Sequence, residues 1–324
     1  MSSKHLLITG GAGYIGSHQV RYLLARGVRV TVIDNLSQGA RDFVPSEATF
    51  YKGDVSDSHL LEHIFAKDKI DGVIHFAGAS CVAPSVTDPL HYYQNNVFGT
   101  MALLKVMKQC GIRHLVFSSS AAVYGDPLSI PIPEDHPLRP VSPYGWTKRM
   151  IEQILADCER AYGLKYVALR YFNAAGAIED GTLGESHVPE SHLIPLVLTA
   201  VRQRTDVSIY GDDYPTRDGT CVRDFVHVMD LADAHWMAFQ YLVKGGESTA
   251  INLGSGKGYS VREIIQMVEK ITGKIVLTRL EERRAGDVSE LVADSSLARQ
   301  KLHWSPRLGL EKILVSAWNW ETQR

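Results

Sequence analysis

The chain has 324 residues, of which 45% are hydrophobic and 22% are charged, and its formal net charge is -2 at pH 7. This length suits one large α/β domain with a smaller second one, because compact domains usually hold about 100 to 200 residues. The nearly balanced charge gives no general attraction to nucleic acid or to an anionic membrane, so we expect neither as a partner.

The N-terminus and the cysteines indicate a cytoplasmic protein without a metal site. The apolar stretch in Met1–Gly10 is too short for a signal peptide or a membrane span. Four cysteines stand far apart, without the paired spacings of zinc or redox motifs, and are expected to be reduced thiols. The thirteen histidines include no HExxH arrangement. The cysteines are Cys81, Cys110, Cys158 and Cys221.

Apolar runs alternate with amphipathic stretches through the first half of the chain. Strand, helix and strand in succession favour a right-handed parallel crossover. We therefore predict an α/β fold built on a Rossmann-type doubly wound parallel sheet, with ligands at the carboxyl ends of its strands. The predicted strands are residues 5–9, 29–33, 72–76, 115–119 and 166–170. The first predicted helix has an apolar stripe that ends near Gly27 and consists of Ile15, Val20, Leu23 and Leu24.

A glycine-rich turn lies between the first strand and this helix. Its glycines follow a G-x-x-G-x-x-G spacing at Gly10, Gly13 and Gly16. The first two let the backbone turn sharply and approach a pyrophosphate, the third permits close helix packing, and the helix N-terminus offers N–H donors. The sequence therefore predicts a dinucleotide site at Gly10, Gly13, Tyr14, Ile15 and Gly16.

Asp34 ends the second strand, eighteen residues after Gly16. A carboxylate there accepts hydrogen bonds from the adenosine ribose and disfavours a 2′-phosphate, and residues 35–39 contain no arginine to offset it. These features favour NAD over NADP. The alternative interpretation of Asp34 is a solvated aspartate in a turn, without a cofactor contact. Further cofactor contacts are predicted after the second, third and fourth strands, at Asn35, Asp54, Val55, Phe76, Ala77 and Gly78.

The catalytic prediction combines Ser120, at a strand end, with Tyr144 and Lys148 at the start of a helix, where Pro143 suits the first helical position. Tyr144 and Lys148 are four residues apart and share one face. A tyrosine with its ordinary pKa of about 10 is a poor base, but nearby positive charge from lysine and nicotinamide lowers that pKa. An isolated pair of this kind more often packs on a helix surface, whereas the dinucleotide motif favours catalysis here.

The composition changes from about Ala174 to loops rich in glycine, proline and charge, with helices predicted at 193–203 and 261–272. The run from Arg223 to Tyr241 is predicted to return to the first lobe. The predicted NAD-binding domain thus comprises residues 1-173 plus about 221-255. A smaller α/β substrate-binding C-terminal lobe comprises about 174-220 plus 256-324.

Several motifs resemble those of the UDP-galactose 4-epimerases, a family of extended short-chain dehydrogenases/reductases, over nearly the whole chain. They are SSSAAVYG at 118–125, Tyr144–Lys148, RYFNAAG at 170–176 and YGDDYPTRDGTCVRDFVH at 210–227. The resemblance implies reversible C4 epimerisation of UDP-glucose and UDP-galactose through a transient 4-keto intermediate, with tightly bound NAD. It implies a homodimer that pairs helices near 97–110 and 147–162.

The resemblance also implies residue roles. Tyr144 would be the catalytic base, Lys148 a cofactor ligand that modulates its pKa, and Ser120 a partner of the substrate hydroxyl. Arg223 and Arg284 would bind the diphosphate. Asn95, Ser118 and Tyr171 complete the predicted cofactor set, together with Tyr144 and Lys148. The predicted substrate set is Ser120, Tyr144, Asn173, His192, Leu193, Tyr210, Arg223, Val261, Arg284, Asp287 and Leu291, in which Asp287 would bind the uridine ribose and Leu193 and Tyr210 would line the uracil pocket.

Departures from the family pattern leave the sugar open. Residues 79–82 lack a lysine that some members carry, and His192 replaces an asparagine. Leu291 is intermediate in size at the position that separates plain hexoses from N-acetylated ones, and UDP-pentoses or UDP-uronates remain alternatives. A 4,6-dehydratase would need an Asp-Glu pair where this chain has Ala121 and Ala122. An inactive NAD-binding regulator is disfavoured because the catalytic residues are intact.

Overall fold

A computed structural model describes residues 4–284 and 286–324, so Ala285 of the Arg284–Asp287 motif lies outside the described residues. The chain forms two compact units. The first comprises the described chain up to Gly125, Pro137–Arg170 and Ala232–Ile251. The second comprises Asp126–His136, Tyr171–Leu231 and Asn252–Arg324.

The described strands are β1 His5–Thr9, β2 Arg29–Asp34, β3 Thr49–Lys52, β4 Gly72–His75, β5 His114–Ser118, β6 Lys165–Tyr171, β7 Asn173–Ala175, β8 Val207–Tyr210, β9 Val222–His227, β10 Thr249–Leu253, β11 Gly258–Ser260, β12 Thr278–Glu281 and β13 Glu290–Leu291. The described α-helices are α1 Tyr14–Leu24, α2 Ser58–Lys67, α3 Val82–Thr87, α4 Pro89–Tyr92, α5 Gly99–Gln109, α6 Pro143–Tyr162, α7 Leu193–Gln203, α8 Val228–Val243, α9 Val261–Thr272, α10 Ser296–Leu302 and α11 Leu310–Thr322. A π-helical segment, Tyr93–Phe98, connects α4 to α5.

The central sheet has seven strands in the order β10-β6-β5-β4-β1-β2-β3. Strand β1 pairs in parallel with both β2 and β4, while β3, β5 and β6 extend the parallel pairing outward. The chain thus winds from β1 toward one edge and then returns to build the other. The predicted Rossmann-type doubly wound α/β fold is confirmed. Helix α1, however, ends at Leu24 and is capped by Ala25, and Gly27 forms the following turn with φ of +71°.

Helix α6 begins and ends as its sequence predicts. The Ser142 hydroxyl caps it by accepting from the N–H of Gly145 at 3.2 Å, and Pro143 occupies the first turn. Gly163 ends the helix with φ of +75°, a left-handed conformation that glycine adopts without steric cost. Its apolar residues, including Ile151 and Leu155, join the core formed with the central strands.

The second unit contains its own sheets and core. Strand β9 pairs with β7, β11 and β13, and β8 pairs in parallel with β12. Helices α7, α9 and α11 supply much of the core through Val197, Ile264 and Ile313. Helices α7 and α9 have the bounds predicted from the sequence.

The compact units differ from the predicted lobes at four segments. Residues 126–136, 171–173, 221–231 and 252–255 belong to the second unit, whereas the sequence prediction assigned them to the first lobe. Strand β9 explains the difference at 221–231, because its hydrogen-bonding neighbours are the strands of the second sheet. The assignment of cofactor and substrate to separate lobes stays a prediction.

All four cysteines are free thiols, and Cys221 is buried. Among residues 4–284 and 286–324, no helix is both long enough and apolar enough to cross a membrane.

A buried ion pair connects α6 to the central sheet. The Arg170 guanidinium, on β6, donates to both carboxylate oxygens of Glu152 at 2.9 and 2.7 Å, and both side chains are about 5% exposed. The remaining Arg170 nitrogen donates to the Tyr124 hydroxyl at 3.0 Å, and the Ser119 hydroxyl donates to Glu152 at 2.7 Å. Burial lowers the pKa of Arg170, but Glu152 outweighs this effect and raises it. Both charges are therefore compensated inside the first unit.

We predict that Arg170→Met lowers the free energy of unfolding by about 3–5 kcal/mol, because it leaves the Glu152 carboxylate buried without a cation. Urea unfolding followed by circular dichroism measures the change. Arg160→Met is the matched control, since Arg160 pairs with Asp157 on the exposed face of α6, the helix that carries Glu152. The control should change stability by less than about 0.5 kcal/mol. Equal effects in the two variants would contradict a structural role for the buried pair.

Candidate active site

Two of the three glycines predicted in the glycine-rich turn have no room for a side chain. Gly10 has φ of +70°, and a Cβ there would lie 2.6 Å from the Ala77 nitrogen. A Cβ on Gly16 would lie 2.1 Å from the Gly10 carbonyl oxygen. Gly13 differs, because its added Cβ would meet only that same oxygen, at 3.4 Å. The fold therefore requires Gly10 and Gly16, whereas space beside Gly13 is left for a ligand to approach.

Asp34 holds the turn from the end of β2. Its two carboxylate oxygens accept from the backbone N–H groups of Ala12 at 2.9 Å and of Leu36 at 2.8 Å. The neighbouring Asn35 amide donates to Asp54 at 2.8 Å. Burial raises the pKa of Asp54, but hydrogen bonds from Ser56 and Asn35 outweigh it and hold the pKa below its ordinary value. The predicted residues after β2 and β3 therefore lie together, with both acids in hydrogen-bonded settings.

The segment after β4 lies against the first glycine. The N–H groups of Phe76 and Ala77 both donate to the Thr9 carbonyl, at 3.0 and 3.1 Å. A Cβ on Gly78 would meet the side chain of Asn96 at 3.1 Å. The strand-end residues predicted to flank the cofactor phosphates are thus brought together with the glycine-rich turn.

Asn96 is a residue that the sequence prediction missed. It is 2% exposed, accepts from the Ala79 N–H at 2.8 Å, and donates to the Ala79 carbonyl and the Thr147 hydroxyl, both at 3.0 Å. It therefore connects the loop after β4 to helix α6. The predicted contact residue, Asn95, is half-buried and donates to Asn96 at 3.3 Å. A pair of adjacent asparagines in an apolar helix was the available signal.

Three catalytic candidates lie at the end of β5 and the start of α6. Ser120 follows β5, and its hydroxyl accepts from the Ala122 N–H at 3.1 Å. Tyr144 is 6% exposed in the first turn of α6. Lys148, one turn later, donates to the Ser118 carbonyl at 2.8 Å, and its Nζ lies 5.8 Å from the centre of the Tyr144 ring. This arrangement holds an ammonium close to the phenol.

Lys148 is a buried cation with an unusually low pKa. Burial lowers the pKa of Lys148 to about 8, although the Glu152 carboxylate raises it in part. At pH 7 the amine is still largely protonated. His75 beside it bonds the hydroxyls of Thr9 at 2.6 Å and Thr100 at 2.8 Å. Burial and the Lys148 charge lower the pKa of His75 to about 3, so the imidazole stays neutral and Lys148 supplies the local positive charge.

The remaining cofactor candidates lie around the same strand ends. Tyr14 is buried at the first position of α1, and Ile15 is half-buried. A Cβ on Gly99 would contact Val55 at 2.9 Å, which places Val55 against the start of α5. Tyr171 is the last residue of β6 and is half-buried.

A second group of predicted residues meets in the second unit. Asp287 lies 3.0 Å from the Arg284 guanidinium and 3.9 Å from that of Arg223. Arg284 also stacks over the Tyr210 ring, 4.5 Å from its centre. Leu291 pairs with Arg223 in the register of β13 and β9. Two guanidinium groups, a carboxylate and an aromatic ring thus share one surface, which suits an anionic ligand with a planar base.

The other substrate candidates occupy separate positions. Asn173 begins β7 opposite Phe225, and Val261 begins α9. Leu193 begins α7, directly after His192. The His192 Nδ1 lies 2.6 Å from the Glu185 carboxylate, so this histidine is grouped with acids rather than with Arg223. Its predicted role in substrate binding stays a prediction.

The described residues of the first unit fit a dinucleotide. The space beside Gly13, the Asp34 carboxylate and the strand-end backbone form the pattern that pyrophosphate and ribose recognition requires.

Comparison with known proteins identifies the family. The family model described as GDP-mannose 4,6 dehydratase matches residues 7–316. A UDP-glucose 4-epimerase of Halalkalibacterium halodurans is 51% identical over 98% of this chain and 96% of its own.

Solved structures agree. The UDP-glucose 4-epimerase of Brucella ovis, solved in complex with NAD, has a TM-score of 0.95 and 45% identity, covering 98% of both chains. That of Bifidobacterium longum, solved with NAD+ and UDP, has a TM-score of 0.93 and 40% identity, covering 99% of this chain and 98% of its own.

The family resemblance predicted from the motifs is confirmed at this identity and coverage. The family model has a dehydratase description, whereas the curated and solved relatives named above are all epimerases. On these grounds the chain belongs to the UDP-glucose 4-epimerase family within the extended short-chain dehydrogenases/reductases.

Proposed function

We propose that this protein interconverts UDP-glucose and UDP-galactose at C4 and uses a bound NAD that is regenerated in each turnover. The observation that carries the proposal is the buried Lys148 ammonium beside the Tyr144 phenol, at the start of α6 in a chain of this family. Positive charge near a phenol favours the phenolate, which is the form that can accept a proton.

Proton transfer is the part of the reaction that the chain itself performs. Tyr144, as phenolate, accepts the proton of the C4 hydroxyl while the C4 hydrogen leaves with its electron pair, so the substrate becomes a 4-keto sugar. When bound, NAD supplies the acceptor for that electron pair and later its donor. Ser120 orients the C4 oxygen, and Lys148 stabilises the phenolate in both directions. The hydrogen then returns with its electron pair to the opposite face of C4 and Tyr144 returns the proton to the C4 oxygen, so that C4 is inverted.

The second unit carries the residues that we propose for the nucleotide. Arg223 and Arg284 offer directed donors to the diphosphate, and Asp287 accepts from the uridine ribose. Tyr210 and Leu193 contact the uracil, with Asn173 and Val261 as further contacts. A firmly held nucleotide keeps the intermediate bound while the sugar turns its other face.

Asp34 supports NAD rather than NADP. Its carboxylate is fixed by two backbone N–H groups, and a 2′-phosphate would meet like charge there. The first arginine after Asp34 in sequence, Arg41, stacks over the Phe50 ring at 4.6 Å and donates to the Val44 carbonyl at 2.7 Å. That guanidinium is therefore already engaged.

The preferred sugar has three alternatives. Leu291 is half-buried and of intermediate size, which leaves UDP-N-acetylhexosamines open beside plain hexoses. UDP-pentose and UDP-uronate would differ only in the sugar pocket. A 4,6-dehydratase is disfavoured because Ala121 and Ala122 provide neither acid nor base after Ser120.

The proposal includes a homodimer, which exposed apolar residues at the start of α5 and on α6 support. Phe98 and Met101, at the start of α5, are 48% and 50% exposed. Trp146 and Met150, one turn apart on α6, are 43% and 40% exposed. These two helices are the ones that the family resemblance pairs across a twofold axis, and burying such residues against a second copy stabilises the assembly.

A cytoplasmic location is part of the proposal. Four free thiols are typical of a reducing compartment, in which disulfides rarely persist. NAD and UDP-sugars are then available to the enzyme.

We predict that the purified protein interconverts UDP-glucose and UDP-galactose without added reductant, and that Tyr144→Phe lowers kcat by roughly 10²- to 10⁴-fold because the proton acceptor is lost. A coupled assay for UDP-glucose measures the rate. Tyr162→Phe, at the far end of the same helix, is the control and should retain wild-type activity. Parallel assays with UDP-N-acetylgalactosamine and UDP-xylose compare the sugars. Turnover of UDP-pentoses alone would overturn the hexose assignment.

We predict that Gly13→Ala folds normally but weakens NAD binding by about tenfold or more, since a methyl group would fill the space for the pyrophosphate. Titration calorimetry with NAD measures the affinity, and thermal unfolding measures the fold. Gly309→Ala is the matched control, because both glycines cap the N-terminus of a helix with nearly the same backbone angles. Gly309 caps α11 with φ of -74° and ψ of 179°, and Gly13 caps α1 with φ of -76° and ψ of 174°. Undiminished NAD affinity in Gly13→Ala would refute the cofactor site.

We predict that Met101→Glu combined with Met150→Glu converts a dimer into a monomer, because the charges would be buried at the proposed interface. Light scattering coupled to size exclusion measures the mass. Ile275→Glu is the control, since Ile275 is 82% exposed and lies in the second unit. A wild-type protein that is monomeric at micromolar concentration would contradict the dimer.

A further inference from the structure

Two histidines and two glutamates gather in the segment before α7. Glu185, His187, Glu190 and His192 follow an E-x-H-x-x-E-x-H spacing. One potential ligand atom from each lies within 4.8 Å of all the others. None of the four has a part in the chemistry proposed above except His192, whose predicted substrate contact is untested.

Two of the distances between these atoms match a tetrahedral metal site. His187 Nδ1 lies 3.3 Å from Glu185 Oε1 and 3.6 Å from Glu190 Oε2. Zinc bonds of about 2.0–2.1 Å place tetrahedral ligands roughly 3.3 Å apart. A third distance, from His192 Nδ1 to Glu185 Oε1, is 2.6 Å. It needs to open by roughly 0.7 Å when the ion enters.

The His192 ring is oriented in a way that suits coordination. Its Nδ1 is buried, yet within the described parts of the chain no hydrogen-bonding group is aligned with it, although carboxylate oxygens lie close by. A coordinating nitrogen directs its lone pair at the ion, so the neighbouring ligands lie off the line of that lone pair. Glu190 keeps one oxygen for backbone contacts, accepting from the N–H groups of Ser191 and His192 at 2.7 and 2.9 Å. Its other oxygen faces His187.

Charge and donor type define the ion. Two carboxylates bring two negative charges, and an imidazole that coordinates an ion does so as a neutral ring, so a divalent cation in place of the two imidazolium protons neutralises the group. Imidazole nitrogen combined with carboxylate oxygen suits zinc, and four protein ligands close its coordination sphere. The Glu185, His187 and Glu190 side chains are 6%, 16% and 19% exposed and that of His192 is 43% exposed, so three of the four proposed ligands are shielded from solvent, as in a structural site.

We propose that Glu185, His187, Glu190 and His192 bind one zinc ion, and that this ion fixes the segment leading into α7. The Glu185 end is already anchored, because the Trp320 indole of α11 donates to the Glu185 carbonyl at 2.8 Å. The ion connects the His192 end to it. The ion thereby cross-links residues 185–192, and this segment ends directly before Leu193, the first residue of α7. His192 acts as a metal ligand in this proposal rather than as a substrate contact.

The test begins with metal binding by the full-length protein. After removal of metals with EDTA, the wild type should bind one Zn²⁺ per chain with a dissociation constant below about 1 μM, measured by titration calorimetry and by elemental analysis after desalting. His187→Gln should weaken binding by roughly 100-fold or more, since it removes one of four ligands. Zinc should raise the melting temperature of the wild type by several degrees and leave that of His187→Gln unchanged.

The matched control is His59→Gln. His59 faces Glu62 at 3.9 Å with the same three-residue spacing as His187 and Glu190, but its side chain is 99% exposed and it belongs to no four-residue cluster among the described residues. This variant should bind zinc as the wild type does. Co²⁺ bound to the wild type should give the absorption bands of a tetrahedral site with mixed nitrogen and oxygen ligands, a readout that does not depend on any variant folding.

Three outcomes would overturn the proposal. They are wild-type protein that takes up no zinc at micromolar concentrations, zinc binding that His187→Gln leaves intact, and an octahedral Co²⁺ spectrum. The first would show that the four residues form an ion-pair cluster of imidazolium and carboxylate. None of these results bears on epimerase turnover, so failure here is distinguishable from failure of the proposed function.

Discussion

The buried pair of Glu152 and Arg170 is the constraint on which the catalytic geometry depends. Tyr144, Lys148 and Glu152 are spaced four residues apart, so they follow one another along a single face of α6. The bidentate bond from Arg170 fixes the rotation of that face against the central sheet. With the helix held there, Lys148 reaches the Ser118 carbonyl at the end of β5, and its Nζ lies 5.8 Å from the centre of the Tyr144 ring. A structural ion pair therefore positions the two residues for which we propose the proton-transfer role.

Burial of Lys148 lowers the stability of the fold but places a positive charge beside the Tyr144 phenol. Its pKa, lowered to about 8, means that the folded protein holds this proton less tightly than the unfolded chain does. The amine therefore adds stability only above its ordinary pKa near 10.5, and that contribution is lost as the pH falls through about 8. At neutral pH the charge opposes folding, and the Glu152 carboxylate limits the cost. Function explains why a cation is retained where an apolar side chain would pack more favourably.

The second unit combines charged groups in two different ways. Around Asp287, two guanidinium groups share a single carboxylate, which leaves positive charge available to an anionic ligand. Around Glu185 the balance is reversed, with two carboxylates facing two imidazoles. The first arrangement suits a diphosphate and the second a divalent cation. Both depend on residues that converge only after folding, although the four around Glu185 lie within eight positions of sequence.

The sequence by itself determined the doubly wound sheet, the glycine-rich turn and the start of α6, because each depends on local periodicity, capping or glycine conformation. It also placed Tyr144 and Lys148 on one face of that helix, because their spacing is a local property. It missed Asn96, and it could not pair Glu152 with Arg170 or assign residues 221–231 to the second unit, because those facts depend on strand order and on contacts between distant segments. Only the tertiary structure decided these three features. Several partners are compatible with the local sequence pattern, and burial and long-range hydrogen bonds determine which of them is used.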